Sequence, residues 1–136
     1  MKTLRTRVTP VVLLAIIAFA IAGCSSWEKS IYKTLYANSA VIDQAFDDFN
    51  SGKIAQTTAN RDLLEKAKGI NNGGAAAFKL YWKTKADVTD LLGKNSITKS
   101  EYTSRLAAAR QAVVDVISEL PGLIAQIKAL HSGSAT

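Results

Sequence analysis

The C-terminal part of the chain carries a long apolar pattern that constrains the fold more than any other feature. From Tyr102 to Leu130, apolar residues recur at alternating steps of four and three, the heptad spacing of a helix that packs along one face. This seam consists of Tyr102, Leu106, Ala109, Val113, Val116, Leu120, Leu123, Ile127 and Leu130. Ile117 and Ile124 widen it to the breadth expected of a bundle helix. One helix is predicted, with a kink where Pro121 lacks a backbone N–H.

A second apolar stripe predicts a helix that ends near residue 50. Ser25 and Glu28 fit a capping box at its start. Gly52 is suited to the left-handed conformation that follows many helices. The stripe, at spacings of three, four and seven, consists of Trp27, Ile31, Leu35, Ile42, Ala45, Phe46 and Phe49.

The segment between these two helices is interrupted by adjacent glycines. Thr57 or Thr58 is a candidate N-cap, and apolar residues follow at helical spacing. Gly73 and Gly74 together cost about 2 kcal/mol relative to alanines inside a helix. We interpret the segment as one helical arm with a weak point at the glycines, rather than as two helices.

The whole pattern favours helices. Alternating strand patterns are scarce, and Pro121 is the only proline after the N-terminal apolar run. Thr98 and Glu101 form a capping box before the heptad seam. Three amphipathic helices with short turns predict an all-α, antiparallel three-helix bundle over residues 24–131, with a flexible tail over 132–136.

The N-terminus has the layout of a secretory signal. Three basic residues and no acid precede an uncharged, apolar run over residues 8–22. A membrane-spanning helix needs about 20 apolar residues. This run is shorter and contains Pro10, so a cleaved signal peptide over residues 1–23 is predicted.

The stretch Ile21-Ala22-Gly23-Cys24 has an aliphatic residue, two small residues and the only cysteine of the chain. It resembles the lipobox of bacterial lipoproteins. The resemblance implies cleavage between Gly23 and Cys24 and attachment of a diacylglyceryl group to the Cys24 thiol, so that acyl chains such as palmitate hold the protein on a membrane. Ser25 resembles the residue found in lipoproteins sorted to the outer membrane, facing the periplasm. In a Gram-positive host the anchor would lie in the plasma membrane.

The net charge of the chain indicates which classes of binding partner to expect. The chain has 17 basic and 11 acidic residues, a net charge of +6, and three of the basic residues belong to the predicted signal. The mild excess that remains suits an anionic lipid or cell-wall surface. It lacks the clustered basic stripes of nucleic-acid binding, so no nucleic-acid partner is expected. The sequence leaves the oligomeric state open.

Few residues are suited to catalysis. Because Cys24 is the only cysteine, a disulfide within the chain and a thiolate metal cluster are excluded. His131 is the only histidine and is predicted to be solvated at the start of the tail. Asp43 and Asp47, with Asp48 beside them, could hold a cation or form a glycosidase pair, but a solvated helix face is the favoured interpretation. The sequence therefore predicts no catalytic site, metal site or cofactor, and no enzyme.

One aromatic and basic cluster is a candidate interaction surface. Lys79 and Lys83 flank Tyr81 and Trp82, a combination that binds anionic lipid in other proteins. The alternative is a solvated helix face with Trp82 packed inward.

These features predict a lipid-anchored, non-enzymatic protein of the cell envelope that contacts an envelope protein or peptidoglycan. A second hypothesis is a periplasmic carrier or inhibitor that holds a small ligand in a cleft lined by Phe78, Tyr81 and Trp82. A third is a secreted enzyme with a carboxylate site at Asp43 and Asp47.

Overall fold

The computed structural model describes residues 24–133, and every regular element there is a helix. Helix α1 covers Cys24–Asn50, α2 covers Thr58–Gly93, α3 covers Lys99–Ile117 and α4 covers Leu120–Gly133. The all-α prediction is confirmed for this part of the chain. The predicted signal peptide over 1–23 and the last residues of the predicted tail, 134–136, lie outside the described residues. Helix α4 includes the first two residues that were assigned to the tail.

The chain divides into two compact units at the boundary between Thr34 and Leu35, within α1. In the first unit, Trp27 and Ile31 are buried one helical turn apart, as the apolar stripe predicts. Tyr32, on another face of the helix, is 63% exposed. Trp27 is therefore a packed residue and does not lie at a protein surface.

The second unit, from Leu35 onward, has its main apolar core where α1, α2 and α4 meet. Its buried members are Ile42, Ala45, Phe49, Ile54, Leu64, Ala67, Leu120, Leu123, Ile124 and Ile127. All of them except Ile54, which lies in the loop between α1 and α2, come from the predicted stripes of three separate segments. Burial of each large aliphatic side chain contributes about 1.5–3 kcal/mol relative to exposure, so this cluster is the main stabilising term of the unit.

Helix α2 runs without interruption through Gly73 and Gly74. A Cβ atom added at Gly74 would lie 3.0 Å from Leu35 Cδ2 of α1, and closer than real contacts allow to Ile117 Cγ2 of α3. Glycine here thus permits a close approach of α1 and α3 to α2. The continuous arm is confirmed, and the adjacent glycines mark a helix-packing position rather than a break.

A buried amide accompanies this close approach. Asn71, which lies one turn before Gly74, is 6% exposed, and its Nδ2 donates to the Leu35 carbonyl oxygen at 3.3 Å. The Asn71 Oδ1 atom is buried and has no hydrogen-bond partner among the described residues. The amide thus joins α2 to the backbone of α1 at the same level as the glycine.

The single kinked helix predicted over the heptad seam is wrong, because α3 ends at Ile117 and α4 begins at Leu120. Pro121 explains the separation, since a continuous helix would require its missing N–H to donate to the carbonyl four residues earlier. At the second position of α4 the missing N–H costs nothing, because first-turn N–H groups have no intrahelical acceptor. Val116, a predicted seam residue next to the interruption, is 40% exposed.

The turns follow the predicted caps. Thr57 accepts from the Asn60 N–H at 3.1 Å and starts α2, and Thr98 and Glu101 form the complete capping box of α3. Gly52 has φ +83°, the left-handed conformation expected after α1. In the loop before α3 the corresponding conformation belongs to Asn95, with φ +55°, rather than to a glycine.

None of the helices in the described residues is both long enough and apolar enough to cross a membrane.

Alanine substitutions at two glycines of α2 test the close approach. Gly74→Ala should destabilise the protein, because overpacking costs about 1–3 kcal/mol and the gain in helix propensity is about 1 kcal/mol. Gly69→Ala is the matched control, since a Cβ there meets nothing within 4 Å. It should raise the free energy of unfolding by up to about 1 kcal/mol. Urea unfolding measures both, and equal stabilisation by the two changes would contradict the close approach.

Candidate functional site

Helix α2 exposes a surface of two lysines and two large apolar side chains, Lys79, Leu80, Trp82 and Lys83, which we call the α2 surface. Leu80 is 60% exposed and Trp82 is 44% exposed. Both lysines are exposed. Helical spacings of three and four place Lys79 beside Trp82 and Lys83, and Leu80 beside Lys83. The four side chains therefore cover one side of the helix, with the two lysines between Trp82 and Leu80.

A cluster of aromatic rings holds Trp82 in place. Phe78 and Tyr81 stack with ring centroids 6.0 Å apart and an interplanar angle of 1°. The Trp82 ring meets both of them edge-on, at 6.0 Å from Phe78 and 5.8 Å from Tyr81. Lys85 Nζ lies 4.9 Å from the Trp82 ring centroid, within the range of a cation–π interaction. One part of the indole is thus fixed by protein groups while the remainder faces solvent.

Tyr81 does not belong to the exposed surface. It is 1% exposed, and the Arg110 guanidinium carbon lies 6.0 Å from its ring centroid. Its role as a surface residue is corrected, because its position on α2 turns it toward the core. Phe78 is 9% exposed. Two of the three residues that the ligand-carrier hypothesis places in a cleft lining, Phe78 and Tyr81, are thus buried.

Helix α2 carries only positive charges from Lys66 to Lys85, and the acid that follows, Asp87, lies one turn beyond Lys83. No acidic residue occurs between Glu65 and Asp87. The same stretch contains the lysines Lys66, Lys68, Lys79, Lys83 and Lys85. Lys66 pairs with Glu119 at 3.1 Å. Lys79 and Lys83 form no ion pair with any residue in the described part of the chain.

A polar pair that the sequence did not predict joins α1 to α4. His131 Nε2 lies 2.6 Å from Asp48 Oδ2, and the Asp48 side chain is 10% exposed. Gln44 Nε2 donates to Asp48 Oδ1 at 3.1 Å. Lys53 Nζ is 3.9 Å from the same Oδ1 atom. His131 Nδ1 is 3.3 Å from the Ile127 carbonyl oxygen, one turn earlier on α4.

This geometry gives His131 a structural role. The carboxylate of Asp48 and the carbonyl of Ile127 are both acceptors, and each lies within hydrogen-bond distance of one ring nitrogen of His131. A general base needs one ring nitrogen free to accept a proton from a substrate. With both nitrogens directed at protein oxygens, the histidine serves to tie α4 to α1.

The hydrogen bond from His131 is the main reason why the pKa of Asp48 lies below its ordinary value of 3.8. Burial acts in the opposite direction and raises the pKa. The hydrogen bond from Gln44 and the positive charge of Lys53 lower it further. Asp48 is therefore ionised throughout the neutral range.

The solvated position predicted for His131 is wrong, because the residue lies within α4 and contacts a buried carboxylate. Asp43 and Asp47 are exposed, as predicted, whereas Asp48 is buried. A signal was present in the sequence. Asp48 follows Ala45 by three residues and His131 follows Ile127 by four, so each polar residue lies on an apolar helix face.

Across residues 24–133, no group of three or more His, Cys, Asp and Glu side chains is placed to hold a metal ion. Asp48 and His131 form an acid–histidine pair in that region, and Lys53 Nζ lies 3.9 Å from the same carboxylate.

Comparison with known proteins gives a distant likeness. No protein-family model matches the chain. No solved structure matches it. A deubiquitinase and deneddylase, Dub1, from Chlamydia trachomatis serovar L2 is 24% identical over 95 residues, which are 70% of this chain and 24% of the relative. Dub1 of serovar L2b is 25% identical over 95 residues, and that of serovar B is 24% identical. The chain thus spans about a quarter of the length of these relatives.

This likeness contradicts the prediction that the chain is not an enzyme, because the matched proteins are named as enzymes and the match covers 70% of the chain. The prediction relied on the absence of a catalytic set of side chains. Such an inventory cannot exclude a helical region that is shared with a larger enzyme, where other parts of the protein supply reactive groups.

Replacement of Asp48 tests the polar pair. Because its folded-state pKa is lowered, the Asp48 contribution to stability is complete above the unfolded pKa near 3.8 and is lost as the pH falls through the lower folded value. Asp48→Asn should therefore be less stable than the unchanged protein at neutral pH, and the difference should shrink as the pH falls below 3.8. Urea unfolding at several pH values measures this difference.

The matched control is Asp47→Asn, which removes an exposed carboxylate from the adjacent position. It should change the stability little at any pH, because isolated exposed charges contribute little. A difference between Asp48→Asn and the unchanged protein that stayed constant from neutral to acid pH would contradict the proposed linkage.

Proposed function

We propose that the chain is a lipid-anchored helical protein of the bacterial cell envelope, held by acyl chains on Cys24 and acting through contacts of its helical body. Its proposed location is the outer membrane, facing the periplasm. The observation that carries the proposal is the arrangement of a basic start, an uncharged apolar run and Ile21-Ala22-Gly23-Cys24 directly before a helical body. Its proposed contact is with an envelope protein or peptidoglycan.

The proposed form of the body is an antiparallel three-helix bundle, in which α3 and α4 together make the third rod. Short connections support this arrangement, because few residues separate α1 from α2 and α2 from α3. Contacts of α2 with both α3 and α4 also support it. The apolar core in which side chains of α1, α2 and α4 meet supports the same arrangement.

Acyl chains on Cys24 would make the anchor durable. Each buried methylene contributes about 0.8 kcal/mol, and a single myristoyl chain binds a membrane only reversibly. Two or three longer chains on one residue would hold the protein essentially permanently. Since α1 already includes Cys24, little flexible chain would separate the anchor from the helix.

Exposed aromatic and aliphatic side chains support a role in contacts. Tyr36 of α1 is 71% exposed, although aromatic rings of this size are usually at least partly buried. Tyrosine is enriched at protein interfaces, since it combines a large apolar area with a hydroxyl group. Tyr36 is thus a suitable position from which to trap a partner.

An in-cell experiment tests the anchor and the contact together. The full chain would be produced in a Gram-negative host with p-benzoylphenylalanine in place of Tyr36, and cells would be irradiated before fractionation. The membrane fraction should contain a mature N-terminus acylated at Cys24, detected by mass spectrometry, and a discrete cross-linked product. The control, Cys24→Ser, should lack the acylated mature N-terminus and should yield less of the cross-linked product.

An unmodified Cys24 in the membrane-associated protein would contradict the anchor. A smear of random neighbours in place of a discrete cross-linked product would contradict the contact role.

A second candidate function, activity on ubiquitin or a ubiquitin-like modifier, is favoured by the likeness to Dub1 over 70% of the chain. Hydrolysis by a thiolate nucleophile could use only Cys24, because the chain has no other cysteine. Acylation of that sulfur would block such chemistry. The two candidates thus require different states of the same atom.

A fluorogenic ubiquitin C-terminal amide tests this second candidate. Purified chain with a free Cys24 thiol should release the fluorophore, and Cys24→Ser should abolish the release. Equal signals from the two proteins would contradict a thiol-dependent activity and leave the anchor as the only proposed use of this residue.

A further inference from the structure

We infer that the α2 surface docks on the anionic headgroup layer of the membrane that carries the protein. The inference rests on the proposed lipid anchor and names the partner of the α2 surface, Lys79, Leu80, Trp82 and Lys83. The proposed partner of the α2 surface is a layer of negatively charged phospholipid headgroups.

Charge complementarity is the first argument. The stretch between Glu65 and Asp87 contains five lysines and no acid. Lys79 and Lys83 are exposed and form no ion pair with the described residues. Lysines near an anionic lipid surface are attracted to it within a Debye length, so two unpaired lysines on one strip give the helix a preferred side.

The second argument is the position of the apolar side chains, Trp82 and Leu80, on either side of these charges. Trp82 is 44% exposed and Leu80 is 60% exposed. Tryptophan settles at the boundary between headgroups and acyl chains, because its ring is apolar and its N–H is polar. Lysine can extend its aliphatic stem along such a boundary and keep its ammonium group in water.

Preorganisation is the third argument. Phe78 and Tyr81 contact the Trp82 ring edge-on, and Lys85 lies over its face. The indole is therefore held in its exposed orientation before any partner arrives. A side chain that is already ordered loses little conformational entropy on binding.

The composition of the strip favours lipid over protein as its partner. Lysine is depleted at protein–protein interfaces, where charged groups must be desolvated. A headgroup layer leaves the ammonium groups hydrated and pairs them with phosphates. With only two large apolar side chains among the lysines, the strip is better matched to a shallow, charged layer than to the apolar centre of a protein interface.

Lipid-dependent quenching of Trp82 tests the inference. The full chain, purified from the membrane as cells produce it, would be reconstituted in vesicles of phosphatidylcholine with or without about 30% phosphatidylglycerol. Brominated acyl chains would serve as the quencher. Quenching should require phosphatidylglycerol, should weaken at high salt, and should be absent in Trp82→Phe, which retains Trp27.

Charge variants with a matched control complete the test. Lys79→Gln with Lys83→Gln should lower the ratio of docked to undocked protein by roughly 25-fold, which corresponds to two lysines near the lipid surface. Lys99→Gln with Lys128→Gln removes the same charge from exposed positions on α3 and α4 and should leave the ratio unchanged. Equal loss in both double variants would overturn the inference, since net charge alone would then explain binding.

A cross-linker in the α2 surface distinguishes a lipid partner from a protein partner. With p-benzoylphenylalanine in place of Leu80, irradiated cells should yield a lipid adduct, and a discrete protein adduct in its place would overturn the inference. The state of Cys24, read by mass spectrometry of the same sample, keeps the two proposals separable. An acylated protein without quenching overturns headgroup docking alone, and quenching by a protein with an unmodified thiol overturns the anchor alone.

Discussion

The close approach of helices at Gly74 constrains how α1, α2 and α3 pack in the second unit. Leu35 of α1 and Ile117 of α3 both reach the space that a side chain at Gly74 would occupy. Glycine weakens an isolated helix by about 1 kcal/mol relative to alanine, yet α2 passes through Gly73 and Gly74 intact. Packing of the neighbouring side chains therefore outweighs the local preference of the sequence. Asn71 adds a directional bond to the Leu35 carbonyl, and a buried polar bond of this kind favours one helix register over others.

The contact between Asp48 and His131 closes the apolar core on another side. Isolated charges are costly in a dry interior, but here the carboxylate has three partners and the histidine remains partly exposed. The pair links the end of α1 to the last turns of α4, a helix that Pro121 has separated from α3. A proline that ends one helix is thus followed by a short helix whose position is secured by apolar packing and by one polar bond.

The α2 surface and the core are parts of one aromatic cluster. Tyr81 is buried while Trp82, its neighbour in sequence, is partly exposed, and the two rings touch edge-on. The exposed indole is consequently anchored to the packed interior. The relatives named Dub1 share 24% identity with this chain over 95 residues, which is too distant to transfer a surface or an activity residue by residue. The likeness does add an enzyme to the functions considered. The earlier inventory of reactive side chains does not exclude an enzymatic function.

Local sequence determined the helices and most of their boundaries. Thr57, Thr98 and Gly52 act as predicted because caps and left-handed turns depend on interactions within a few residues. The predicted apolar stripes also supplied most of the core. Only the tertiary structure decided that Tyr81 is buried, that Asp48 meets His131 across 83 positions of sequence, and that Gly74 is a packing position. Periodicity places a residue on a helix face, but it does not say which other helix covers that face, and these features exist only where two helices meet.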